Sequence, residues 1–435
     1  MSFPKILHIG QPFNKKSGGG ITISNLFKGW PKERLAVATN FNLSGNLDIS
    51  VCEKYYQLGY NGKLHPFPLN VFLPKIQCGP YMTNINEDIT KQKYEFKKSK
   101  FNNIYKLLTI FLNFIGVYNV LYKLKITPEF KNWLKAFNPD IIYSQLASLE
   151  LIRFVSEIQD FTNKPVVLHF MDDWPVTINK PGLLYLYWKR VIDKELRQLL
   201  DKSSVLMSIC DAMSEEYKIR YNKEFIPFHN PIDIKNWLPF AKKDWTIKEK
   251  FTILYAGRIG RGIEKSIVDI SYAVNNLCNT HDNIVFEIQT LDISSLEKVI
   301  KFNNHVKWLK PIEYSKLPEK FSSVDLLVLP EDFDSDSVEF LKYSIQTKVA
   351  EYMISGTPIM VYADKQTALA KYAIKDGWAY VVTDNSKIAL SKAIVQLYSN
   401  PLLRRKLSEK AIEIAIRNED ADIVRERFQQ SFMIH

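Results

Sequence analysis

The chain has 435 residues, more than one hydrophobic core ordinarily serves, so two domains are expected. Its 46% apolar and 13% aromatic residues exclude a disordered protein, and its net charge of +11 indicates an anionic partner such as nucleic acid, acidic lipid or a phosphorylated substrate. The four cysteines form no CxxC pair, which suits a reducing compartment and gives no metal-site spacing. The N-terminus enters a strand at once, so we expect no signal peptide and a cytoplasmic protein.

The first half alternates strands and helices. Lys5–Ile9 is a predicted strand, a loop with Gly18, Gly19 and Gly20 follows it, and Ile21–Trp30 is a predicted helix. After a second strand at Leu35–Thr39, the segment 51–80 is irregular. Further predicted strands are Asp140–Tyr143, Pro165–His169, Val205–Ser208 and Glu224–Phe228, and the helices between them are Leu149–Ile158, Leu184–Leu200 and Ala212–Tyr221.

The segment Lys91–Lys125 differs from its surroundings. Lysines flank a nearly uncharged run, LLTIFLNFIGVYNVLY, which is shorter than the ~20 residues that a bilayer span requires. A basic helix with an apolar face can lie in the headgroup region of an anionic membrane. A pair of core helices with solvated lysines is the alternative. Peripheral contact with the cytoplasmic face of the inner membrane therefore remains one of two interpretations.

A polar segment, Trp237–Lys250, indicates a connector, and a second alternation follows it. The fold class expected is α/β, with two Rossmann-like, doubly wound parallel-sheet domains facing a cleft and ligands at the strand carboxyl ends. We predict an N-terminal domain over residues 1–235, with the 91–125 insertion, and a C-terminal domain over 236–418. The helix in 419–435 is expected to pack back on the first domain. The predicted elements of the second half are strands Phe251–Ala256, Ile284–Thr290, Val306–Leu309, Asp325–Pro330 and Ala379–Thr383 and helices Lys265–Asn276, Ser315–Phe321, Ser386–Ser399, Pro401–Asn418 and Ala421–Phe432.

The stretch Tyr343–Tyr362 combines a loop, a short helix and a strand at Ile359–Tyr362. Thr347 is the predicted N-cap, and Glu351 falls in the first helical turn, off the apolar face. A carboxylate at this place can accept two hydrogen bonds from a ribose diol, and the N–H groups around Ser344–Lys348 can meet a diphosphate. Alternatively, Glu351 only complements the helix dipole.

A glycine-rich and arginine-rich loop, Gly257-Arg258-Ile259-Gly260-Arg261-Gly262, follows one predicted strand and precedes a helix that contains Lys265. Glycines let the backbone approach a phosphate, and Arg258, Arg261 and Lys265 supply positive charge for a leaving diphosphate. A surface turn with solvated arginines is the alternative.

The order of these features resembles the retaining, GT-B glycosyltransferases of family 4, over nearly the whole chain. The family has a glycine-rich loop after its first strand, an Asn-Gly-Val-Asp-like turn, a Gly-Arg loop and a helix of the form Lys-x-x-Glu-Tyr-Met-x-x-Gly-x-Pro. The most specific match is that helix. The residues that match are Gly18, Gly19, Gly20, Asn230, Pro231, Ile232, Asp233, Gly257, Arg258, Lys348, Glu351, Tyr352, Met353, Gly356 and Pro358.

The resemblance implies a nucleotide-sugar donor whose ribose is held by Glu351. It also implies a sugar transferred with retention and no metal cofactor, because basic side chains and helix N-termini stabilise the leaving diphosphate. The expected donor site includes Gly19, Gly20, Gly257, Arg258, Arg261, Lys265, Ser344, Thr347, Lys348 and Glu351. A carbohydrate or lipid-linked glycan is the expected acceptor.

The sequence departs from the family in three places. The family often has a second glutamate eight residues before the ribose glutamate, and here Tyr343 stands there, so Ser344 and nearby backbone are expected to substitute. The lysine of the Gly-Arg loop is shifted to Lys265. A His-Asp-x-Trp-Pro-like segment becomes HFMDDWP, which leaves His169, Asp172 and Asp173 as candidates for contact with the transferred sugar or the acceptor.

Two other features suggest different functions. Asp334-Ser335-Asp336 spells the metal motif of another glycosyltransferase fold, but its late position favours a solvated acidic loop. A GT-B nucleotide-sugar epimerase would use similar donor contacts without an acceptor. A nucleic-acid-binding protein would also be basic, but the chain lacks a helix-turn-helix or base-stacking signature, so no nucleic-acid partner is expected.

Overall fold

The computed structural model describes residues 3–14, 18–41, 43, 47–59, 63–64, 78–82, 102–121, 123–177, 182–297 and 304–433. The chain divides into two compact units. Residues 1–228 and 425–435 form the first, and residues 229–424 form the second. The segment Asn230–Asp233, predicted to end the N-terminal domain, therefore lies in the second unit.

The first unit is built on an eight-stranded sheet. Its strand order is β10-β9-β8-β7-β1-β2-β3-β5, with all neighbours parallel except β3 and β5, and β4 pairs separately with β6. The central strands are buried on both faces, as their continuous apolar sequences predict. The strands are β1 Ile6–Ile9, β2 Leu35–Thr39, β3 Lys54–Gln57, β4 Lys63–Leu64, β5 Gly79–Met82, β6 Lys123–Leu124, β7 Ile141–Ser144, β8 Val166–Phe170, β9 Val205–Ser208 and β10 Ile226–Pro227.

Helices connect the parallel strands of the first unit. Thr127 and Ser148 cap two of them through hydrogen bonds to backbone N–H groups, and Asn138, Asn163 and Asn222 end three of them in the left-handed conformation. The helices of this unit are Gly18–Leu26, Asn102–Phe114, Tyr118–Leu121, Pro128–Phe137, Leu149–Thr162, Trp174–Thr177, Tyr185–Lys202 and Asp211–Tyr221, with a 3₁₀ turn at Lys32–Arg34.

The C-terminal segment of the chain belongs to the first unit. The helix Ala421–Gln430 begins in the second unit and continues into the first. Its Phe428 ring lies 5.0 Å from the ring of Phe27, edge-on, and Arg425 Nε donates to the carbonyl of Asn25 at 2.7 Å. Aromatic packing thus fixes the last residues against the first helix of the chain.

The second unit contains a six-stranded sheet in which every pair is parallel. The order β13-β12-β11-β14-β15-β16 is that of a Rossmann sheet, in which the chain turns back to the centre between its third and fourth strands. The strands are β11 Phe251–Ala256, β12 Ile284–Gln289, β13 Val306–Leu309, β14 Leu326–Pro330, β15 Ile359–Tyr362 and β16 Tyr380–Val382.

Apolar clusters cover both faces of this sheet. One contains Leu254, Leu327 and Met353, and the other contains Ile253, Ile270 and Leu326. Neighbouring residues of one strand therefore face opposite cores. The helices of this unit are Ile234–Trp237, Glu264–Leu277, Leu317–Ser323, Ser335–Leu341, Val349–Ile354, Ala368–Asp376, Lys387–Ser399 and Pro401–Asn418, with 3₁₀ turns at Leu238–Phe240 and Tyr314–Lys316.

The predicted α/β fold class with two Rossmann-like sheets is confirmed. Part of the predicted Lys91–Lys125 insertion, including its five leading lysines, lies outside the described residues, and residues 102–114 form a helix. Among the residues that the structure describes, no helix combines the length and apolar character needed to cross a membrane.

Candidate functional site

In the second sheet, the order in which successive strands are added reverses between the neighbouring strands β11 and β14. These strands are neighbours, but the chain proceeds from β11 to β12 on one side and from β14 to β15 on the other. Their connections consequently diverge and leave a crevice at the carboxyl ends, Ala256 and Pro330, where open parallel sheets bind ligands. The Gly-Arg loop follows β11 directly.

The helix Val349–Ile354 is attached to the end of β11. Lys348 Nζ donates to the carbonyl of Ala256 at 3.0 Å, and the Tyr352 hydroxyl accepts from the Ala256 N–H at 2.8 Å. Residues four apart lie on one helix face, so Lys348 and Tyr352 both bond to the backbone of Ala256. The Lys-x-x-Glu-Tyr sequence therefore joins the helix to the strand as well as presenting Glu351.

The predicted cap of this helix is wrong. The residue that precedes the helix is Lys348, with φ −80° and ψ −4°, and its side chain makes no capping hydrogen bond. An N-cap needs extended backbone, whereas this segment is already turning, and the carbonyl of Thr347 accepts instead from Asn230 Nδ2 at 2.9 Å. All six residues of the helix are buried, Glu351 included.

Gly257 is required by the way Lys348 packs. Its φ is +152°, and a Cβ there would lie 2.6 Å from Lys348 Nζ and 3.3 Å from the Tyr255 hydroxyl. The ammonium group lies 3.9 Å from the centre of the Tyr255 ring, in cation–π contact. Because burial removes water from the ammonium, the pKa of Lys348 falls to about 7.

Glu351 is 8% exposed and lies between two polar neighbours. Burial raises the pKa of Glu351 to about 7, while the Tyr314 hydroxyl and the Lys348 charge act in the opposite direction. Tyr314 comes from the 3₁₀ turn after β13, and half of its surface is exposed. The carboxyl group thus already has one hydroxyl partner, as it would with a sugar diol, and no sequence motif predicts this contact.

The basic residues of the Gly-Arg loop have different partners. Arg261 lies over the Phe340 ring at 4.8 Å, and the exposed Lys265 pairs with Asp334 Oδ2 at 2.9 Å. The Arg258 side chain forms no ion pair or hydrogen bond with any residue that the structure describes, while its carbonyl accepts from the Tyr255 hydroxyl at 2.6 Å. Arg258 is therefore the basic group of this loop that is best prepared to bind an anion.

The loop before the Glu351 helix contains buried polar atoms without partners. Ser344 Oγ, Gln346 Oε1 and both carboxyl oxygens of Glu331 are buried and lack a hydrogen-bond partner among the described residues. Gln346 and Thr367 lie beside Glu331, yet burial dominates and raises the pKa of Glu331 to about 8. Unpaired buried polar groups are rare in folded proteins, so these atoms are available to hydrogen-bond a ligand.

The first-unit candidates differ in accessibility. His169 is fully buried, its Nδ1 lies 2.7 Å from the Tyr143 hydroxyl, and burial lowers its pKa to about 3. Asp173 is buried and accepts from the Tyr217 hydroxyl and from both Arg220 N–H groups. Direct contact of either with substrate is not supported, because both are enclosed and hydrogen-bonded. Asp172 is exposed.

The glycine-rich motif of the first unit and the Asp334-Ser335-Asp336 motif each lie at the start of a helix. Gly18, Gly19 and Gly20 begin the first helix, and a Cβ at Gly19 would lie 2.6 Å from Gln11 Oε1. Asp334 caps the helix Ser335–Leu341 by accepting from the Ser337 N–H. Within the described ranges, no group of three or more His, Cys, Asp or Glu side chains is arranged to hold a metal ion.

Comparison with known families finds a match within the second unit. Residues 250–400 match the sequence model of the family described as glycosyl transferases group 1. Over these residues the second unit is similar in sequence to group 1 glycosyltransferases. Its Gly-Arg loop and Glu351 helix both lie within the matched residues. No curated protein sequence matches the chain.

Solved structures match nearly the whole chain. HepE from Anabaena, in complex with UDP and glucose, has 13% identity and a TM-score of 0.61 over 98% of this chain and 99% of that one. Sucrose-phosphate synthase from Thermosynechococcus elongatus has 12% identity and a TM-score of 0.63 over 98% of both chains. WaaG, a glycosyltransferase involved in lipopolysaccharide biosynthesis, has 13% identity and a TM-score of 0.59 over 98% of this chain and 99% of that one. At such identities the similarity shows the GT-B fold.

Proposed function

We propose that this protein transfers a sugar from a nucleotide-sugar donor to an acceptor hydroxyl, with retention of the anomeric configuration. The observation that carries the proposal is the meeting of three features at the carboxyl ends of β11 and β14. These are the Gly-Arg loop, the helix that bears Glu351 and the chain reversal between the two strands. The family match of residues 250–400 supports it.

In this proposal Glu351 accepts hydrogen bonds from the two ribose hydroxyls of the donor. Its ionised form is needed for two acceptor oxygens, and the Tyr314 hydroxyl and the nearby Lys348 charge both favour that form. Lys348 would act indirectly, by holding the carboxyl end of β11 through the carbonyl of Ala256. Thr347 contributes through its place at the start of this helix, where backbone N–H groups can face an anion.

The diphosphate would bind at the Gly-Arg loop. Gly257 allows the backbone to approach closely, and Arg258 supplies a charge without a competing carboxylate among the described residues. Arg261 and Lys265 would add to the positive field from their present contacts with Phe340 and Asp334. Ser344, whose hydroxyl lacks a partner among the described residues, would approach the sugar in place of the glutamate that Tyr343 replaces.

The reaction requires no covalent nucleophile from the protein. The bond between the anomeric carbon and the diphosphate oxygen breaks, and the acceptor oxygen bonds to the same carbon from the same face. The acceptor proton passes to the departing diphosphate, whose charge the basic loop stabilises. This route needs no metal ion. Asp172, which is exposed, would contact the acceptor or the transferred sugar from the first unit.

The acceptor that we propose is a lipid-linked glycan or the precursor of a cell-surface polysaccharide, met at the cytoplasmic face of a membrane. The chain carries a net charge of +11, and lysines flank its least polar segment, Lys91–Lys125. Cationic side chains concentrate near anionic lipid, which would bring the enzyme to a membrane-bound acceptor.

A screen of nucleoside diphosphates and their sugars by thermal shift and calorimetry tests the donor class, because a ligand that binds only the folded state raises its melting temperature. UDP is the first probe, since the HepE structure contains it. The expected result is stabilisation by one nucleoside diphosphate and weaker stabilisation by its monophosphate. Absence of any binding, with tight salt-sensitive binding of DNA, would contradict the proposal.

Product analysis tests the reaction itself. Nuclear magnetic resonance of the product formed from an α-linked donor is expected to show an α-linkage. A β-linked product would contradict retention. A changed sugar released without an acceptor would indicate an epimerase instead.

A further inference from the structure

We propose that the first unit docks on an anionic lipid bilayer through one surface made of two separate segments. The segments are Leu107–Val120 and Leu183–Arg190, and together they are called the docking surface here. The proposal extends the membrane contact proposed for Lys91–Lys125 to a second part of the chain. It names the physical partner of the enzyme in addition to its substrates.

Both segments expose large apolar side chains. Leu107 is 67% exposed, Leu183 is 70% exposed and Leu186 is 67% exposed. Isolated exposed apolar residues are ordinary, but a contiguous group indicates an interaction site. The exposed apolar residues of the docking surface are Leu107, Ile110, Phe111, Phe114, Val120, Leu183, Leu184, Leu186 and Tyr187.

Direct contacts make the two segments one surface. The N–H of Leu183 donates to the carbonyl of Phe114 at 2.7 Å, and Trp188 Nε1 donates to the carbonyl of Gly116 at 2.6 Å. Gly116 has φ +76°, and a Cβ there would lie 2.7 Å from Leu184 Cβ. The turn that ends the helix Asn102–Phe114 is therefore packed closely against the start of the helix Tyr185–Lys202.

The sequence around both segments is cationic and free of carboxylates. No Asp or Glu occurs from Phe96 to Pro128 or from Trp174 to Ile192, although 24% of the chain is charged. Over the same ranges the chain has Lys97, Lys98, Lys100, Lys106, Lys123, Lys125, Lys180, Lys189 and Arg190. Of these, Lys123, Lys125, Lys189 and Arg190 are exposed side chains in the structure.

This combination fits an anionic bilayer better than a protein partner. Leucine and phenylalanine side chains can enter the acyl boundary while lysines and arginine remain at the level of the phosphates. Beyond Ile192, the same helix has Asp193, Glu195 and Asp201, so its acidic residues begin where the exposed apolar ones end. That change of charge along one helix sets the edge of the docking surface.

Cosedimentation with vesicles tests the proposal with the full-length protein. The probes are vesicles of phosphatidylcholine alone and vesicles with about 30% phosphatidylglycerol, at low and high salt. We expect binding only to the anionic vesicles and weakening by salt. Failure to bind them at low salt, or equal binding to both kinds, would overturn the proposal.

Single substitutions test whether both segments take part. Phe111→Glu and Leu186→Glu should each lower the partition coefficient at least tenfold, because each replaces an inserting side chain with a repelled charge. Ile219→Glu is the matched control, since Ile219 is 82% exposed on another helix of the same unit. Unchanged binding of Leu186→Glu would remove the second segment from the proposal.

Removal of charge gives a second, milder measurement. Lys189→Gln combined with Arg190→Gln should weaken binding about fivefold per charge at low salt and little at high salt. If the Phe111→Glu and Leu186→Glu variants instead convert a dimer to a monomer, and vesicles are not bound, the surface joins two copies and the proposal is wrong. Vesicle binding needs no donor, and UDP binding needs no vesicle, so the membrane and the donor proposals can fail separately.

Discussion

The two sheets share one topology and differ in the chemistry at the place where the chain reverses. In the first unit the order β3-β2-β1-β7-β8-β9 repeats that of the second, so the reversal lies between β1 and β7. Each first strand is followed by a glycine with positive φ, Gly10 at +137° and Gly257 at +152°. Each glycine donates its N–H to the neighbouring strand, to Ala38 in one unit and to Gln289 in the other.

The side chains near the point where the strand order reverses differ in charge between the two sheets. In the first unit His8, Tyr143 and His169 form a neutral aromatic group, in which burial lowers the pKa of His8 to about 4. In the second unit Lys348 and Glu351 occupy the corresponding edge and carry groups that titrate near neutrality. The shared backbone therefore sets where a ligand can bind, and the side chains determine that the charged chemistry belongs to the second unit.

The largest expected effect is at Glu351. In the proposed donor complex, replacement by Ala removes two charge-assisted hydrogen bonds to the ribose, each of about 1.5–3 kcal/mol, so the affinity for UDP should fall at least 100-fold. Calorimetry measures it. Glu319→Ala, an exposed carboxylate of the same unit, is the control and should bind normally. Equal affinities of the two variants would refute the ribose contact.

A fall in pH should lower the stability of the first unit and raise that of the second. His169 has a lowered pKa, about 3, so its contribution to stability is present above pH 6.5 and is lost as the pH falls. The pKa of Glu331 is raised to about 8, so its contribution is present at low pH and is lost as the pH rises from about 4.5 to 8. From pH 7 to pH 5, His169 should lower the stability of the first unit by about 2 kcal/mol, and Glu331 should raise that of the second by about 2 kcal/mol.

Hydrogen exchange, corrected for its intrinsic pH dependence, measures this effect separately in peptides of β8 and β14. His169→Gln should remove part of the pH dependence in the first unit and leave that of the second unchanged. A common change in both units would show that the buried histidines and glutamates do not control it.

Arg258 should contribute strongly to UDP binding and Lys265 only weakly. Arg258→Gln is expected to weaken UDP binding about tenfold or more and to affect uridine less, because only the diphosphate contact is lost. Lys265→Gln should change UDP affinity less than about threefold, since Lys265 is exposed and paired with Asp334. If Lys265→Gln weakens UDP binding more than Arg258→Gln does, Lys265 and not Arg258 makes the main diphosphate contact.

The smallest effect tests the packing under Gly257. Gly257→Ala should reduce the free energy of unfolding by about 1–3 kcal/mol, through backbone strain and the 2.6 Å approach to Lys348 Nζ. Combination with Lys348→Met removes that atom and should recover about 1 kcal/mol in a double-mutant cycle. Gly377→Ala, with φ +68° and no neighbour within 4 Å, is the control for strain alone. Strict additivity of Gly257→Ala and Lys348→Met would contradict the contact.

Local patterns were sufficient to predict much of the fold. The apolar strand β11 and the amphipathic helix Glu264–Leu277 were predicted almost at their observed bounds. Both depend on a pattern of apolar residues that lie close together in the sequence. The Thr347 cap was wrong because the preceding loop is held by distant groups, such as Asn230. Capping rules describe a helix end alone and contain no such tertiary contact.

Candidate-site residues show the same limit. Gly257, Arg258 and Glu351 could be selected from motif spacing, and the structure brings their segments together. Tyr314 could not be selected, since it reaches Glu351 from a turn after another strand. Nor did the sequence distinguish the enclosed Asp173 from the exposed Asp172, because only the fold places Arg220 and Tyr217 around one of them.

The most direct test of the central claim is a crystal structure of the full chain with UDP. The ribose hydroxyls should lie within hydrogen-bonding distance, about 2.6–3.2 Å, of the Glu351 carboxylate, and the diphosphate should meet the Gly257-Arg258 loop. The Tyr314 hydroxyl should then have moved or shared its contact with Glu351. UDP bound beside His8 and His169 in the first unit, or away from the carboxyl ends of β11 and β14, would contradict the account.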